Sequence, residues 1–265
     1  MNILDQIIAE KYKEVAARKQ LNTINDLEKQ LANATPTYSL KKTLLTGNST
    51  GIIAEFKRQS PSKGIINNKA TVKEVTTAYF EHGAAAISVL TDQPFFGGSM
   101  DDLLATTPLA LPVLRKDFMI DPYQLVEARV AGASVILLIA ACLTPQQVAL
   151  MAAQAHQIGL EVLLEIHNEE ELGHICAEID MVGVNNRNLK DFSVNLEHSM
   201  RLASLIPSSI PTIAESGINN ADTVVTLSRS GFKGFLMGEY FMKQESPAIA
   251  FADFVKELKA KQYAP

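Results

Sequence analysis

Short apolar runs recur along the chain, and in several of them a charged or polar side chain stands where the run should be ending. Gly51-Ile-Ile-Ala-Glu55-Phe-Lys57, Leu114-Arg-Lys116-Asp-Phe118, Val162-Leu-Leu-Glu165, Val182-Gly-Val-Asn185-Asn-Arg187 and Ile213-Ala-Glu215-Ser216 all follow this pattern. The runs predict eight strands, near 51–57, 84–90, 111–117, 134–140, 161–166, 181–186, 211–215 and 234–238, with amphipathic helical stretches between them. Such alternation implies a parallel sheet with right-handed crossovers, and eight units allow it to close into an α/β fold, the (β/α)8 or TIM barrel. A chain of 265 residues is near the roughly 250 typical of one such barrel. We therefore expect a single domain over 1–265, with 1–50 as an N-terminal helical extension packed on the barrel.

Local signals agree with this layout. Ile3, Leu4, Ile7, Ile8, Tyr12, Val15 and Ala16 fall at helical spacing, with Lys11, Lys13, Glu14 and Arg18 between them, which predicts an amphipathic helix ahead of the repeats. Residues 22–50 read as a short helix followed by irregular connection. Gly83, Gly132, Gly159 and Gly231 each stand between a helical pattern and the next strand, where a left-handed residue ends a helix without side-chain penalty. Thr144-Pro145 predicts a capped helix start after the fourth strand.

Strand alternation then sorts the charges. Glu55 and Lys57 project to one side, as do Asn185 and Arg187. With Ile53, Leu114, Leu163 and Ile213 sharing the inward set with Glu55, Lys116, Glu165 and Glu215, the apolar side chains fill the barrel and the polar ones form a layer above them. Charge at the carboxyl ends of buried strands is costly to desolvate and marks a common polar site, where barrels of this class keep their chemistry. A competing interpretation is a purely structural ion-pair network, for example Glu55 with Lys116 and Glu165 with Arg187. Buried pairs, however, are weak stabilisers.

Two regions suit a phosphate. The loop Arg58-Gln-Ser60-Pro61-Ser62-Lys63-Gly64 offers hydroxyls and cations, and the turns Ser216-Gly217 and Gly238-Glu239 follow strands seven and eight, where barrels hold phosphate on backbone N–H groups. Glu239 is an awkward neighbour for a dianion and has to point away from it. Phe95, Phe96 and Phe118 follow strands two and three and can form a slot for a planar ring. The histidines at 82, 156, 167, 174 and 198 have no metal-ligand spacing, so no metal is predicted, and no cofactor is called for. Cys142 and Cys176 read as reduced buried thiols.

The net charge of −5 and pI of about 5.6 give no basic field for nucleic acid or anionic lipid. The longest apolar stretch, Val135 to Leu143, is far short of the roughly 20 residues that cross a membrane. With no signal-peptide pattern and acidic residues at 5, 10 and 14, a cytoplasmic protein without membrane or nucleic-acid partners is expected, as a monomer or weak homodimer.

The run from Ile53 to Gly64 resembles the first-strand signature of the indole-3-glycerol phosphate synthase family. The segments Leu114 to Phe118, Leu163 to His167, Gly183 to Leu189, Ala214 to Ile218 and Met237 to Glu239 follow in that family's order. The opening helix also resembles the one the family carries before its barrel. Small departures are Phe56, where another apolar residue is frequent, and Asn186, where Ser is frequent. The resemblance implies a small-molecule substrate, 1-(2-carboxyphenylamino)-1-deoxyribulose 5-phosphate, and its conversion to indole-3-glycerol phosphate with loss of carbon dioxide and water. By the same resemblance Lys116 is the acid in ring closure, Glu165 takes part in dehydration, and Glu55 and Lys57 assist them. Asn185 positions hydroxyls, Arg187 holds the substrate carboxylate, Glu215 and Ser216 support the polar layer, and Ser60, Gly217, Gly238 and Glu239 surround the phosphate. Two rival functions are a phosphoribosylanthranilate isomerase-like enzyme, which would use a Cys and Asp pair at strand ends, and a non-catalytic sugar-phosphate-binding barrel.

Overall fold

The computed structural model describes residues 2–47, 49–187 and 193–262. In it, β1 (Ile52–Phe56), β2 (Ala86–Leu90), β3 (Val113–Lys116), β4 (Val135–Ile139), β5 (Glu161–Ile166), β6 (Met181–Asn185), β7 (Thr212–Glu215) and β8 (Gly234–Met237) pair in parallel, each with the next. Pairing of β8 with β1 closes the barrel, so none of these eight strands is left with an open edge. Every strand lies within two residues of its predicted bounds.

The period of two divides each strand between two cores. Ile53, Leu114, Leu137, Leu163, Met181, Ile213 and Leu236 pack inside the barrel, whereas Ile52, Phe56, Ile87, Ile136, Val162 and Val182 pack outward with the helices. The predicted glycine punctuation holds: Gly83, Gly132, Gly159 and Gly231 have φ of 88°, 88°, 77° and 101°. Thr144 caps its helix, Pro145–Gln157, in a reciprocal box with Gln147, and this supplies two otherwise unpaired donors with acceptors.

Three expectations need correction. The segment 22–50 is not one helix and a connection, since it holds α2 (Ile24–Leu31) and also α3 (Leu40–Thr46). The latter gives the barrel only Leu40 and Leu44, which join the interior cluster beneath the first residue of β8, Gly234. Two apolar positions make a weak periodic signal; Ser39 as cap and Glu161, accepting from the amides of Leu40 and Lys41 at 2.8 and 3.1 Å, fix the helix start instead. Residues 167–180, between β5 and β6, carry a six-residue 3-10 helix (Glu169–His174) rather than an amphipathic α-helix. Lastly, Cys142 and Cys176 are free but half-buried, not fully enclosed.

The face of α1 (Ile3–Leu21) also differs from the periodic reading. Its start is a reciprocal cap between Asn2 and Asp5, and Val15 packs with Leu27 of α2 and Tyr123 of the helix Tyr123–Val130. Tyr12, assigned to the apolar side, is 59% exposed, while Lys11, assigned to the polar side, is 1% exposed. The exchange is electrostatic. Lys11 Nζ lies 2.8 Å from Asp117, 3.0 Å from Asp92 and 2.6 Å from Glu14. Arg115, fully buried, joins Asp117 at 3.0 Å and Glu127 at 2.8 Å. Burial alone would discharge Lys11, but the Asp117 and Asp92 charges outweigh it and keep the ammonium protonated well above its ordinary range. Asp117 is likewise held ionised against burial by Lys11 and Arg115.

Removing one partner of a buried pair strands the other charge, at a cost of about 3–5 kcal/mol. Lys11→Met should therefore lower unfolding stability by about that amount in urea titration. A loss below about 1 kcal/mol, the scale of an exposed pair, would show that the cluster contributes no more than a surface contact.

Candidate active site

At the carboxyl ends of the strands, alternation brings the predicted polar layer together. Glu55, Lys57, Lys116, Glu165, Asn185, Arg187 and Glu215 line one cavity with Ser60, Phe96, Phe118, Ser216, Gly217, Gly238 and Glu239. Phe95 is the exception. In the four-residue helix Gln93–Phe96, Phe95 is half-buried and does not line the cavity, whereas Phe96 does, its ring 6.1 Å by centroids from that of Phe118.

The charges are paired differently from the structural network considered above. Lys116 Nζ lies 3.2 Å from Glu165 and 3.7 Å from Glu215, and Lys57 lies 2.7 Å from Glu55. Asn185 Nδ2 donates to Glu165 Oε1 at 2.9 Å, and Asn185 Oδ1 accepts from the backbone N–H of Arg187 at 3.0 Å. Arg187 meets Ser62 at 3.1 Å and Glu239 at 3.2 Å. Glu239 is 4.0 Å from Lys63 as well, so its charge is answered by two cations at the cavity wall.

Burial sets these protonation states apart. It works against charge on Lys116, but Glu165, Glu215 and Glu55 outweigh it and keep the ammonium charged. Glu165 resists burial through the charges of Lys116 and His167 and the bond from Asn185, and stays below the usual carboxylate range. Glu215, buried with the Glu165 charge facing it, is pushed up to about 8. Two carboxylates beside one ammonium thus divide into an ionised and a protonated one at neutral pH.

Two glycines make room for this layer. A Cβ on Gly183 would lie 2.0 Å from Glu215 Oε1, and one on Gly238 would meet the Glu55 side chain at 2.7 to 3.0 Å. Backbone conformation is equally specific at Ser216, the sole described non-glycine residue with positive φ, at 67°. Such a residue is strained by about 1–3 kcal/mol. The buried Asn186 donates to its carbonyl at 2.7 Å, holding the turn into Gly217.

The periodic reading missed part of the wall. Ile3, Leu4 and Ile7 of α1 line the cavity, as does Tyr240, and Ser62 of the expected phosphate loop joins them. The loop after β1 is a small antiparallel pair, Gln59–Ser60 with Gly64–Ile65, which places Ser60 and Ser62 at the rim. Among the described residues no three His, Cys, Asp or Glu side chains are grouped to hold a metal ion, and no helix is long and apolar enough to cross a membrane.

The profile of the indole-3-glycerol phosphate synthase family matches residues 4–254. This chain belongs to the indole-3-glycerol phosphate synthase family. A relative of that name from Bacteroides thetaiotaomicron is 46% identical over 259 residues, covering 97% of this chain and 99% of that protein. Another, from Acinetobacter baumannii, is 44% identical over 252 residues, 94% of each chain. Solved structures support the fold alone. A tryptophan synthase alpha subunit from Legionella pneumophila superposes with a TM-score of 0.61 at 13% identity, over 84% of this chain and 98% of that one. KGPDC from Streptococcus mutans gives 0.58 at 13% identity, over 80% and 99%. Membership makes the chain a carboxy-lyase of tryptophan biosynthesis, and favours neither the isomerase nor the non-catalytic rival.

The raised Glu215 carries a pH signature. In the unfolded chain a carboxyl ionises near 4.5, whereas here it does so near 8. The folded state therefore holds the proton more tightly, and its stability declines as pH rises between these values. Glu215→Gln, which mimics the protonated form, should gain melting temperature relative to the parent between pH 5 and pH 8.5. A difference constant across that window would mean that Glu215 is charged throughout.

Proposed function

We propose that the cavity residues divide the reaction as follows. Lys116 supplies the proton to the alkoxide that develops when an aromatic ring carbon attacks the ribulose ketone. Carbon dioxide then leaves, and its departure returns the bonding electrons to the ring system. Glu165, ionised before substrate arrives, takes the proton whose removal accompanies loss of the hydroxyl as water, and Lys57 shares in protonating that leaving oxygen. Glu55 orients Lys57, Asn185 orients the hydroxyls, and Glu215 is a neutral neighbour to Lys116. The observation that carries this reading is the Lys116 ammonium, 3.2 Å from Glu165 at the floor of the cavity. It is an acid and a base in one hydrogen-bonded pair.

The remaining roles follow from charge. Arg187 grips the substrate carboxylate: its Nε has no partner among the described residues, and its neutral partner Ser62 is readily exchanged for an anion. The phosphate lies on the amides of Ser216-Gly217 and of the first turn after Gly238, with Ser60 at its edge. Glu239 is compatible with that site because Arg187 and Lys63 offset its charge. Phe96 and Phe118 flank the aromatic ring. The substrate is the sole partner required. A protein acting without membrane or nucleic acid, as a monomer or weak homodimer in the cytoplasm, fits its acidic balance and the scattered distribution of its exposed apolar side chains.

The direct test follows indole-type fluorescence after the carboxyphenylamino substrate is added to purified protein. Lys116→Met should fold normally and lose about 10² or more in kcat, the scale of general acid catalysis; near-normal turnover would remove Lys116 from the mechanism. Arg187→Ala should weaken binding of a reduced, non-cyclising substrate analogue by about 2–3 kcal/mol, as for a lost charged hydrogen bond. Inorganic phosphate should be affected much less in isothermal titration. Equal losses for both ligands would assign Arg187 to the phosphate or to the fold.

A further inference from the structure

Directly after β5, His167 stands between two carboxylates. Its Nε2 lies 3.1 Å from Glu165 Oε1 and its Nδ1 3.3 Å from Glu171 Oε2, and its side chain is 10% exposed. The backbone N–H of His167 donates to the same Glu171 oxygen at 2.7 Å. Glu171 is fixed in turn by Asn168, which donates to its Oε1 at 2.9 Å and accepts from its amide at 3.1 Å. The contact of Nε2 with Glu165 is an ion pair without hydrogen-bond alignment, because that nitrogen has no hydrogen-bond partner among the described residues. It acts by charge. His167 does not line the cavity, so it reaches the substrate only through Glu165.

We propose that Glu171, His167 and Glu165 form a supporting chain in which His167 is the positioning residue for the acid–base carboxylate, holding Glu165 Oε1 so that Oε2 faces Lys116. The inference rests on the assignment of Glu165 as the acid–base group. The two oxygens are indeed served from opposite sides: Oε1 by His167 and Asn185, Oε2 by Lys116 at 3.2 Å. All the charges that meet at His167 favour its cationic form. Glu165 lies on its own strand and Glu171 on the 3-10 helix after it. Lys116 on β3 and Glu215 on β7 reach it across Glu165, and the Lys116 charge is itself spent on those two carboxylates. His198, from the helix Leu196–Ala203, makes contact at the His167 carbonyl, 3.1 Å away, and not at the ring. Cys142, in the turn after β4, is kept a neutral thiol by burial and by Glu165 and Glu171. Burial alone would discharge the imidazole, but Glu165 and Glu171 outweigh it and raise it to about 10.

This cation has a separate use in the cycle. When Lys116 hands its proton to the substrate it becomes neutral, and Glu165 loses the partner on Oε2. A group on Oε1 that does not exchange protons with the substrate keeps the carboxylate ionised through that step, ready for the proton of the dehydration. Support from behind is the arrangement by which buried carboxylates and imidazoles orient one another in other sites.

Two measurements on the full chain test it. The first is an NMR titration of the His167 ring: it should stay charged above pH 8 in the parent and titrate at lower pH in Glu165→Gln. A ring that titrates near its ordinary value in both proteins overturns the proposal. The second is the pH profile of kcat/KM. Without the cation Glu165 binds its proton more readily, so the acidic limb of His167→Gln should move to higher pH by about one unit or more, with KM little changed. A variant that loses melting temperature but keeps the parent limb has lost a structural contact only, and that result sinks the idea. Should His167→Gln not fold, Glu171→Gln, at the outer end of the chain, should lower the pH at which the His167 ring titrates, and an unchanged titration overturns the chain. Full turnover in Glu165→Gln would instead remove the assignment of Glu165, while the His167 titration still reports whether the two side chains interact.

Discussion

One buried ammonium among three carboxylates sets the protonation states within this barrel's cavity. Lys116 stands within 4 Å of Glu165 and Glu215 and feels the charge of Glu55 as well. In a site screened from water a unit charge is worth several times its value at the surface, so one cation does not keep all three ionised. Glu55 takes its own partner, Lys57, at 2.7 Å. Glu165 takes the nearer position on Lys116 together with His167 and Asn185. Glu215 is left with the longer contact and an Oε1 without a hydrogen-bond partner among the described residues, and it responds by holding a proton. Chemically similar side chains pushed to opposite protonation states are the signature of a site built for proton transfer.

The same strand shows how alternation separates chemistry from structure. Lys116 faces the cavity, while its neighbours Arg115 and Asp117 face outward into the ion cluster with Lys11. A structural ion network therefore does exist, but on the outer face of β3 and with residues other than those that suggest it from the sequence. Its central charges, Lys11, Asp92, Arg115 and Asp117, are enclosed and paired. Those of the cavity are not, as Arg187 Nε and Glu215 Oε1 show.

The strands were legible because buried parallel strands are short apolar runs with sharp ends, and alternation along them put Glu55, Lys116, Glu165 and Glu215 in one layer. What escaped was contact between segments far apart in sequence. A lysine within an amphipathic helix reads as solvent-facing, and Lys11 is buried only because Asp92 and Asp117, more than 80 residues away, converge on it. The paired phenylalanines 95 and 96 could not be told apart until the short helix Gln93–Phe96 set their directions. His167 carries no metal-ligand spacing in the sequence, and its carboxylate partners, Glu165 and Glu171, meet it only in the fold. The steric need for glycine at 183 and 238 left no local sign, since the side chains they accommodate, Glu215 and Glu55, belong to neighbouring strands.

Those distant contacts also tie the first helix to the reaction. Ile3, Leu4 and Ile7 form an apolar wall of the cavity, and one to two turns further along the same helix Lys11 is anchored to Asp92 and Asp117. Asp117 follows Lys116 directly, and Asp92 caps the helix that carries Phe96, accepting from the Phe95 amide at 2.9 Å. A single buried cation thus fixes the apolar wall, the helix that carries Phe96 and the backbone next to Lys116 relative to one another. Keeping water from an aromatic substrate is useful only if the charges inside are preorganised, because a dry site strengthens misplaced charges as much as placed ones. Anchoring the wall to the strand that bears Lys116 meets both demands with one set of contacts.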